Sequence, residues 1–374
     1  MSLQDSVTSS TETIELQTTI IRNLWKHNTQ APSWDSKNWN AFFSYYTDEC
    51  KSALEDQGDN VTIRTHQDIL SIAKQLETGW TKESICKELL AYYAQRTQTR
   101  SDTELAQMIE GSIRLAVRLV AMVDIGPVSP RCIQGYTPLD WADDRQNLRI
   151  FLGEYFTPKA SVADFLKFGA LFNALNLERY AGLKIHWTDN LNNHLRLVNE
   201  DTVLCIFHHV TFLRSSRRWV RTERWQYMLI DDRSTIYPVG FLEETLRTLL
   251  ELLFPSNDMA NQKWLRREAC SKTTSTHLDS GLQDLDRLKP YERTLDNFTF
   301  WRDELIELKE RFEQPHLTSI SQLWYDRRNR SQWITFWFGL VIAFATLLTL
   351  ILGVFQTILG ALQVYNSYDT GVCV

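Results

Sequence analysis

Apolar residues along this 374-residue chain fall into two regimes. Up to about residue 330 they recur at three- and four-residue spacing between charges, the pattern of amphipathic helices. From Trp333 to Tyr365 (WITFWFGLVIAFATLLTLILGVFQTILGALQVY) the apolar run is nearly continuous. No charged side chain occurs between Ser331 and Tyr368. Trp333 to Phe355 alone exceeds the roughly 20 residues needed to cross a hydrocarbon core of about 30 Å. Helices buried in soluble cores rarely run this long without a charge. Two crossings and a turn need more residues than the window holds, and no polar or Gly/Pro break divides it. The expectation is one long, tilted transmembrane helix over 331–365.

That segment carries a seven-residue pattern. Gly339, Thr346, Gly353 and Gly360 recur at one position, and Ile342, Thr349, Gln356 and Gln363 three places on. Small residues let helices approach closely in lipid, and Thr or Gln can hydrogen-bond across the contact. The pattern predicts self-association through this seam. Arg327, Arg328 and Arg330 precede the span, and the nine residues after it hold no Lys or Arg. By the positive-inside rule the N-terminal side is then cytosolic, with Trp333, Trp337 and Tyr365 as interface anchors.

The rest of the chain reads mainly α. Residues 1–10 are a polar leader expected to be disordered. Residues 11–124 form an N-terminal helical region, with helices over 11–27, 32–56, 65–78, 81–96 and from 101. Thr81 is placed to cap the fourth of these, and Ser101 with Glu104 forms a capping box for the fifth. Three prolines and two glycines between Asp124 and Leu139 mark a loop or boundary, taken as 125–146. Residues 147–270 form a second α-rich region with a small β element near 183–230. Within it, helices are expected over 147–155, 161–175 and 177–180. Leu183–Thr188 and His194–Val198 are expected as strands, with 224–230 as a candidate third. Asn199-Glu200-Asp201 is expected to cap a helix through Val203, Ile206, Phe207, Val210 and Leu213, and Phe241–Phe254 reads as an amphipathic helix. Residues 271–293 form a Ser/Thr-rich linker, and 294–330 a helical stalk with helices over 294–312 and 317–330. Residues 366–374 are a short tail on the far side of the membrane.

Bulk numbers narrow this picture. A net charge of −6 gives no global basic character, so nucleic acid is not an expected partner. The six cysteines are scattered without a CxxC, as in a reducing compartment. The acidic N-terminus lacks the basic and apolar regions of a secretory signal. Together with the C-terminal span, this predicts a tail-anchored protein.

Few residues suggest chemistry. Four of the eight histidines, His186, His194, His208 and His209, lie near Asp189. No pair has i,i+4 spacing, no cysteine stands at ligand distance, and His208 and His209 diverge if helical. Ordinary histidines, with no metal bound, are the expectation. Arg214, Arg217, Arg218, Arg221 and Arg224 interleave with Trp219 and Trp225, a candidate membrane-surface patch. GxGxxG, GxxxxGK[ST], GxSxG and HExxH do not occur. No catalytic residue, metal ligand or cofactor site is assigned.

Several blocks carry a resemblance. They are YPVGFLEETLRTL (237–249), FTFWRDELIELKERFEQ (298–314), SQLWYDRRNRSQWITFWF (321–338) and GALQVY (360–365), together with ERYAGLKIHWTDNLNNHLRL (178–197) and IFHHVTFL (206–213). In this order, over roughly 140–368, they resemble a family of filamentous-fungal proteins with one C-terminal transmembrane helix and no established activity. The resemblance implies a fungal source and a conditional role encoded in accessory gene regions. The Arg/Trp-rich stretch 214–230 departs from the family pattern. The helix entering the span is also similar to the stalk of CorA-type cation channels, but the second membrane helix and the Gly-Met-Asn signature are missing. A membrane-tethered, non-enzymatic adaptor or regulator with an unknown protein partner is the leading expectation. A divergent channel or transporter, or an unrecognised enzyme, is the alternative.

Overall fold

The computed structural model describes residues 3–7, 13–25, 36–55, 61–94, 101–126, 138–160, 166–215, 219–221, 227–229, 236–270, 277–283, 293–313 and 330–370. The chain divides into two units, one of residues 1–178 and 183–314, the other of 179–182 and 315–374.

The larger unit begins with five helices: α1 (Ile14–Trp25), α2 (Asn40–Glu55), α3 (His66–Glu77), α4 (Lys82–Ala94) and α5 (Asp102–Ala121). α5 starts at the expected capping box, with Ser101 Oγ accepting from Glu104 N and the Glu104 carboxylate accepting from Ser101 N. Its apolar residues, among them Leu105, Ile109, Ile113, Ala116 and Val120, are buried. α2, α3 and α4 pack on it. Thr65 and Asp68 make a second capping box on α3. Ser84 N donates to Thr81 Oγ1 at the start of α4, as the sequence predicts.

After α6 (Leu148–Tyr155) and α7 (Ala174–Ala181) comes a three-stranded sheet of β1 (Lys184–Thr188), β2 (Leu197–Val198) and β3 (Val203–Phe207). The order is β1-β3-β2, so the central strand is the last in sequence. β1 and β3 run parallel with Thr188 opposite Phe207, and β2 is antiparallel to β3. The expected helix over 203–213 is thus wrong in its first half. VLCIF is a strand, and α8 (Val210–Ser215) begins only after it. The expected cap is instead the β2–β3 turn, with Asn199, Glu200 and Asp201 all left-handed at φ 53°, 55° and 58°. β3 is buried on both faces, which leaves no alternation to separate it from a buried helix.

Three other expectations need correcting. Residues 166–173 of the expected 161–175 helix are irregular, and 161–165 lie outside the described residues. Of the expected strand over His194–Val198, only Leu197–Val198 is regular strand, although Leu195 and Arg196 also bond the backbone of Cys205. The expected 294–312 helix forms only from Arg302, as α11 (Arg302–Glu313). The short β4 (Trp219–Arg221) and β5 (Tyr227–Leu229) pair with each other. α9 (Phe241–Arg247) continues through a π-turn over Thr248–Leu253, followed by α10 (Met259–Cys270).

Aromatic rings tie these elements together. Trp25 stacks on Trp39 with centroids 5.4 Å apart and receives the edge of Phe212 from α8. Phe241 of α9 meets Phe156, Tyr237 and Trp301.

The second unit is dominated by α12 (Arg330–Thr370), a single helix of 41 residues. Trp333–Asn366 within it is long and apolar enough to cross a membrane, with a mean hydropathy of 2.6 and none of its most apolar window buried. The protein is therefore mainly α, with a small sheet and one C-terminal apolar helix.

Candidate functional site

The parallel register of β1 and β3 creates the site. Thr188 and Phe207 are partners on the last rung, so the residues that follow them leave the sheet side by side. Those residues are Asp189 and the pair His208-His209. The carboxyl ends of parallel strands are where α/β sheets commonly place ligands.

Asp189 Oδ1 accepts from His208 Nε2 at 3.1 Å and from His209 Nε2 at 2.6 Å. The two imidazoles stack at 4.1 Å with 29° between their planes. Both are buried, at 1% exposure, whereas the Asp189 side chain is about a third exposed at 32%. The idea that the two histidines diverge assumed a helix. They lie in the turn between β3 and α8, where their rings converge on one oxygen. His186 and His194 stay outside this cluster. His194 is a core residue, and His186 is half-buried on β1 within the reach of Asp189's charge.

A shell of charge surrounds the cluster. Tyr45 of α2 brings its ring to 6.0 Å from His209 and donates from its hydroxyl to the Arg118 carbonyl. Arg118 of α5 pairs with Glu49 at 3.0 Å and approaches Asp124 at 3.8 Å. Asn190 links this shell to Asp189's turn, donating from Nδ2 to Asp124 Oδ2 and accepting at Oδ1 from Asp124 N. The nearby charged groups include four carboxylates, Glu49, Asp124, Asp189 and, acting on His209, Asp279, with one guanidinium, Arg118.

The titration behaviour follows. Burial pushes the Glu49 and Asp124 carboxyls up, against the opposing pull of Arg118. Burial alone would raise Asp189 too, but the His208 and His209 hydrogen bonds outweigh it and hold that carboxyl well below the usual range. Burial depresses His209, and neighbouring His208 depresses it further. The site is a carboxylate with two buried imidazoles in a negatively charged setting. It offers three ligand atoms to a cation.

The sequence-level candidates lie elsewhere. Gly339, Thr346, Thr349, Gly353, Gln356, Gly360 and Gln363 all stand on α12. The hydroxyls of Thr346 and Thr349 donate to the carbonyls of Ile342 and Ala345. This satisfies them within the helix, as an apolar solvent requires, and leaves the amides of Gln356 and Gln363 as the seam's main polar groups. Trp333 and Trp337 sit one turn apart with ring centroids at 6.0 Å, and Tyr365 is exposed. Arg330 opens α12, while Arg327 and Arg328 lie outside the described residues. Of the basic patch, Arg214 ends α8, Trp219 and Arg221 lie on β4, and Arg217, Arg218, Arg224 and Trp225 lie outside the described residues.

Sequence reasoning did not single out Tyr45, Glu49, Arg118 and Asp124. One available signal was the apolar run VLCIF ending on His-His, which as a buried strand places both imidazoles at a sheet end. Set against family models, curated proteins and solved structures, the chain matches none of them.

Proposed function

We propose that this protein is a non-enzymatic adaptor or regulator held on a membrane by α12, with its helical domain on the cytosolic side. The observation that carries the proposal is a contrast in exposure. Apolar residues of the larger unit such as Ile20, Ile109 and Phe207 are fully buried, whereas Phe344, Leu350 and Phe355 on α12 are exposed at 60–67%. Surface this apolar requires a non-aqueous surrounding. At about 1.5 Å per residue, the 34 residues of Trp333–Asn366 outrun a hydrocarbon core of about 30 Å, so the helix tilts or extends beyond it. Arg327, Arg328 and Arg330 favour the cytosolic placement of the domain. The lack of nucleotide-binding and hydrolase motifs in the sequence favours a role in binding. The resemblance of its sequence blocks to filamentous-fungal membrane proteins favours a conditional role in such an organism.

The test compares the tagged full-length chain with one ending at Arg330. The full-length protein should sediment with membranes and resist alkaline carbonate extraction, while the shortened one should be released. An N-terminal tag should be open to protease in intact organelles. Full-length protein recovered in the soluble fraction would overturn the anchor, and a protected N-terminal tag would reverse the orientation.

A further inference from the structure

We propose that Asp189, His208 and His209 form a binding site for a divalent transition-metal ion of the zinc type. The site is separate from the membrane anchor, and nothing in its argument depends on that anchor.

Convergence is the first ground. The three ligand atoms lie within 4.8 Å of one another. Both Nε2 atoms point at the same carboxylate oxygen, at 2.6 and 3.1 Å, although a carboxylate offers two oxygens. A carboxylate oxygen readily accepts two donors, and here the shared oxygen sets the three ligand atoms facing one point, as they would face one ion. Ligands held about 2.1 Å from zinc stand roughly 3.4 Å apart in a tetrahedron, so the shorter contact need open by only about 0.8 Å.

Charge is the second ground. Half-buried Glu49, Asp124 and Asp189, with buried Asp279, surround the imidazoles with one cation, Arg118. With these groups ionised the cluster carries an excess of negative charge, and neutral imidazoles add none. A divalent cation offsets that excess. Burial of uncompensated carboxylates is otherwise costly.

The imidazole tautomers are the third. Nδ1 of both rings has no hydrogen-bond partner among the described residues, although both rings are buried. Without an ion, an Nε2–H on each ring donates to Asp189. On binding, that proton moves to Nδ1 and the Nε2 lone pair turns to the metal. No other hydrogen bond among the described residues breaks in the exchange, so the surroundings do not lock the rings in the metal-free form.

The donor set chooses the ion. Two imidazole nitrogens and one carboxylate suit zinc and its transition-metal neighbours, while calcium and magnesium prefer oxygen cages. Asp189 is partly open to solvent, so an ion can enter from its side and complete its coordination with water.

The test uses the full chain in detergent, stripped with a chelator and titrated with zinc, then with cobalt as a spectroscopic stand-in. One zinc per chain is expected. His208→Ala, His209→Ala and Asp189→Ala should each weaken binding by about 100-fold or more, while exposed His277→Ala should leave it unchanged. X-ray absorption on the zinc-loaded wild-type protein gives a reading independent of how these variants fold. It should show two imidazoles with oxygen and no sulfur. No stoichiometric zinc uptake, sulfur in the coordination shell, or full binding retained by folded His208→Ala and His209→Ala would each overturn the site.

Discussion

Thr188 and Phe207 face each other on the last rung of the β1–β3 ladder, and this pairing brings the Asp189 carboxylate to the two imidazoles that follow Phe207. Asp189 therefore also has a structural role that needs no ion. In Asp189→Ala the two buried Nε2–H groups lose their acceptor, at about 1–3 kcal/mol each. Urea denaturation in the presence of a chelator should show a loss of about 2–6 kcal/mol. An unchanged midpoint would mean that water reaches both rings.

Glu244 of α9 makes a comparable connection by other means. Its Oε1 accepts from the Phe300 and Trp301 amides at 2.7 and 2.8 Å, and its Oε2 from the Thr299 amide at 2.7 Å and the Thr299 hydroxyl at 3.1 Å. Those amides lead directly into α11, so a buried carboxylate caps the positive end of a helix. Glu244→Gln keeps the shape but turns an NH2 group against N–H donors, losing two charge-assisted bonds. Stability should fall by about 3 kcal/mol, read as a lower denaturation midpoint. A midpoint within error of wild type would show that the carboxylate does not hold α11 in place.

His194 makes stability depend on pH. Its ring is fully buried, accepts from Phe207 N at Nδ1 and bonds Thr248 Oγ1 through Nε2. The Thr248 hydroxyl passes the chain on to the Thr245 carbonyl. This network fits one neutral tautomer, and burial lowers the His194 pKa from 6.5 to about 3. In the unfolded chain the ring takes up a proton below its ordinary pKa, which the folded form refuses. Its contribution is therefore fully present above pH 6.5 and declines as pH falls toward about 3, by at most about 1.4 kcal/mol per pH unit. His194→Gln should flatten the pH profile over that window relative to wild type. Parallel profiles would rule out His194 as a source of the slope.

Strain in the β2–β3 turn can be relieved. Glu200 is exposed, with φ at 55° between two other left-handed residues. Asn and Asp tolerate this region better than Glu does, because their short side chains bond locally. Glu200→Gly should stabilise the protein by about 0.5–1 kcal/mol, the relief of strain being partly offset by the entropy of glycine in the unfolded chain. A loss of stability would show that the Glu200 side chain contributes more than its backbone costs.

Local chemistry was legible in the sequence, and remote chemistry was not. The Ser101–Glu104 box, the Thr81 cap, the Lys184–Thr188 strand and the long apolar helix all depend on residues within a turn or on one continuous pattern. The β3 strand was missed because Val203, Ile206, Phe207, Val210 and Leu213 also fit a helical spacing when every face is buried. That one substitution of helix for strand hid the candidate site. Asp189 and His209 are 20 residues apart, and Glu49 and Arg118 are 69 apart. Only the parallel register and the packing of α2 on α5 bring such groups together, and no local pattern encodes either.

The seam of α12 can be tested without disturbing the helix that carries it. A Cβ added at Gly353 or Gly360 meets nothing within 4 Å among the described residues, so both positions open outward from the helix. Leucine also favours a helix over glycine by roughly 0.5–1 kcal/mol. The double change Gly353→Leu with Gly360→Leu should therefore leave a single α12 at least as helical as before. Any weakening of self-association must then come from a partner helix that needed the small residues to approach. Gln356→Leu probes the polar half of the seam, where an interhelical hydrogen bond is worth about 0.6–2 kcal/mol. Both variants should weaken association several-fold in a membrane dimerisation assay, whereas Ile351→Ala, on the face opposite the seam, should not. If the glycine variants associate as well as wild type, contact through this face is excluded and any assembly must come from another surface.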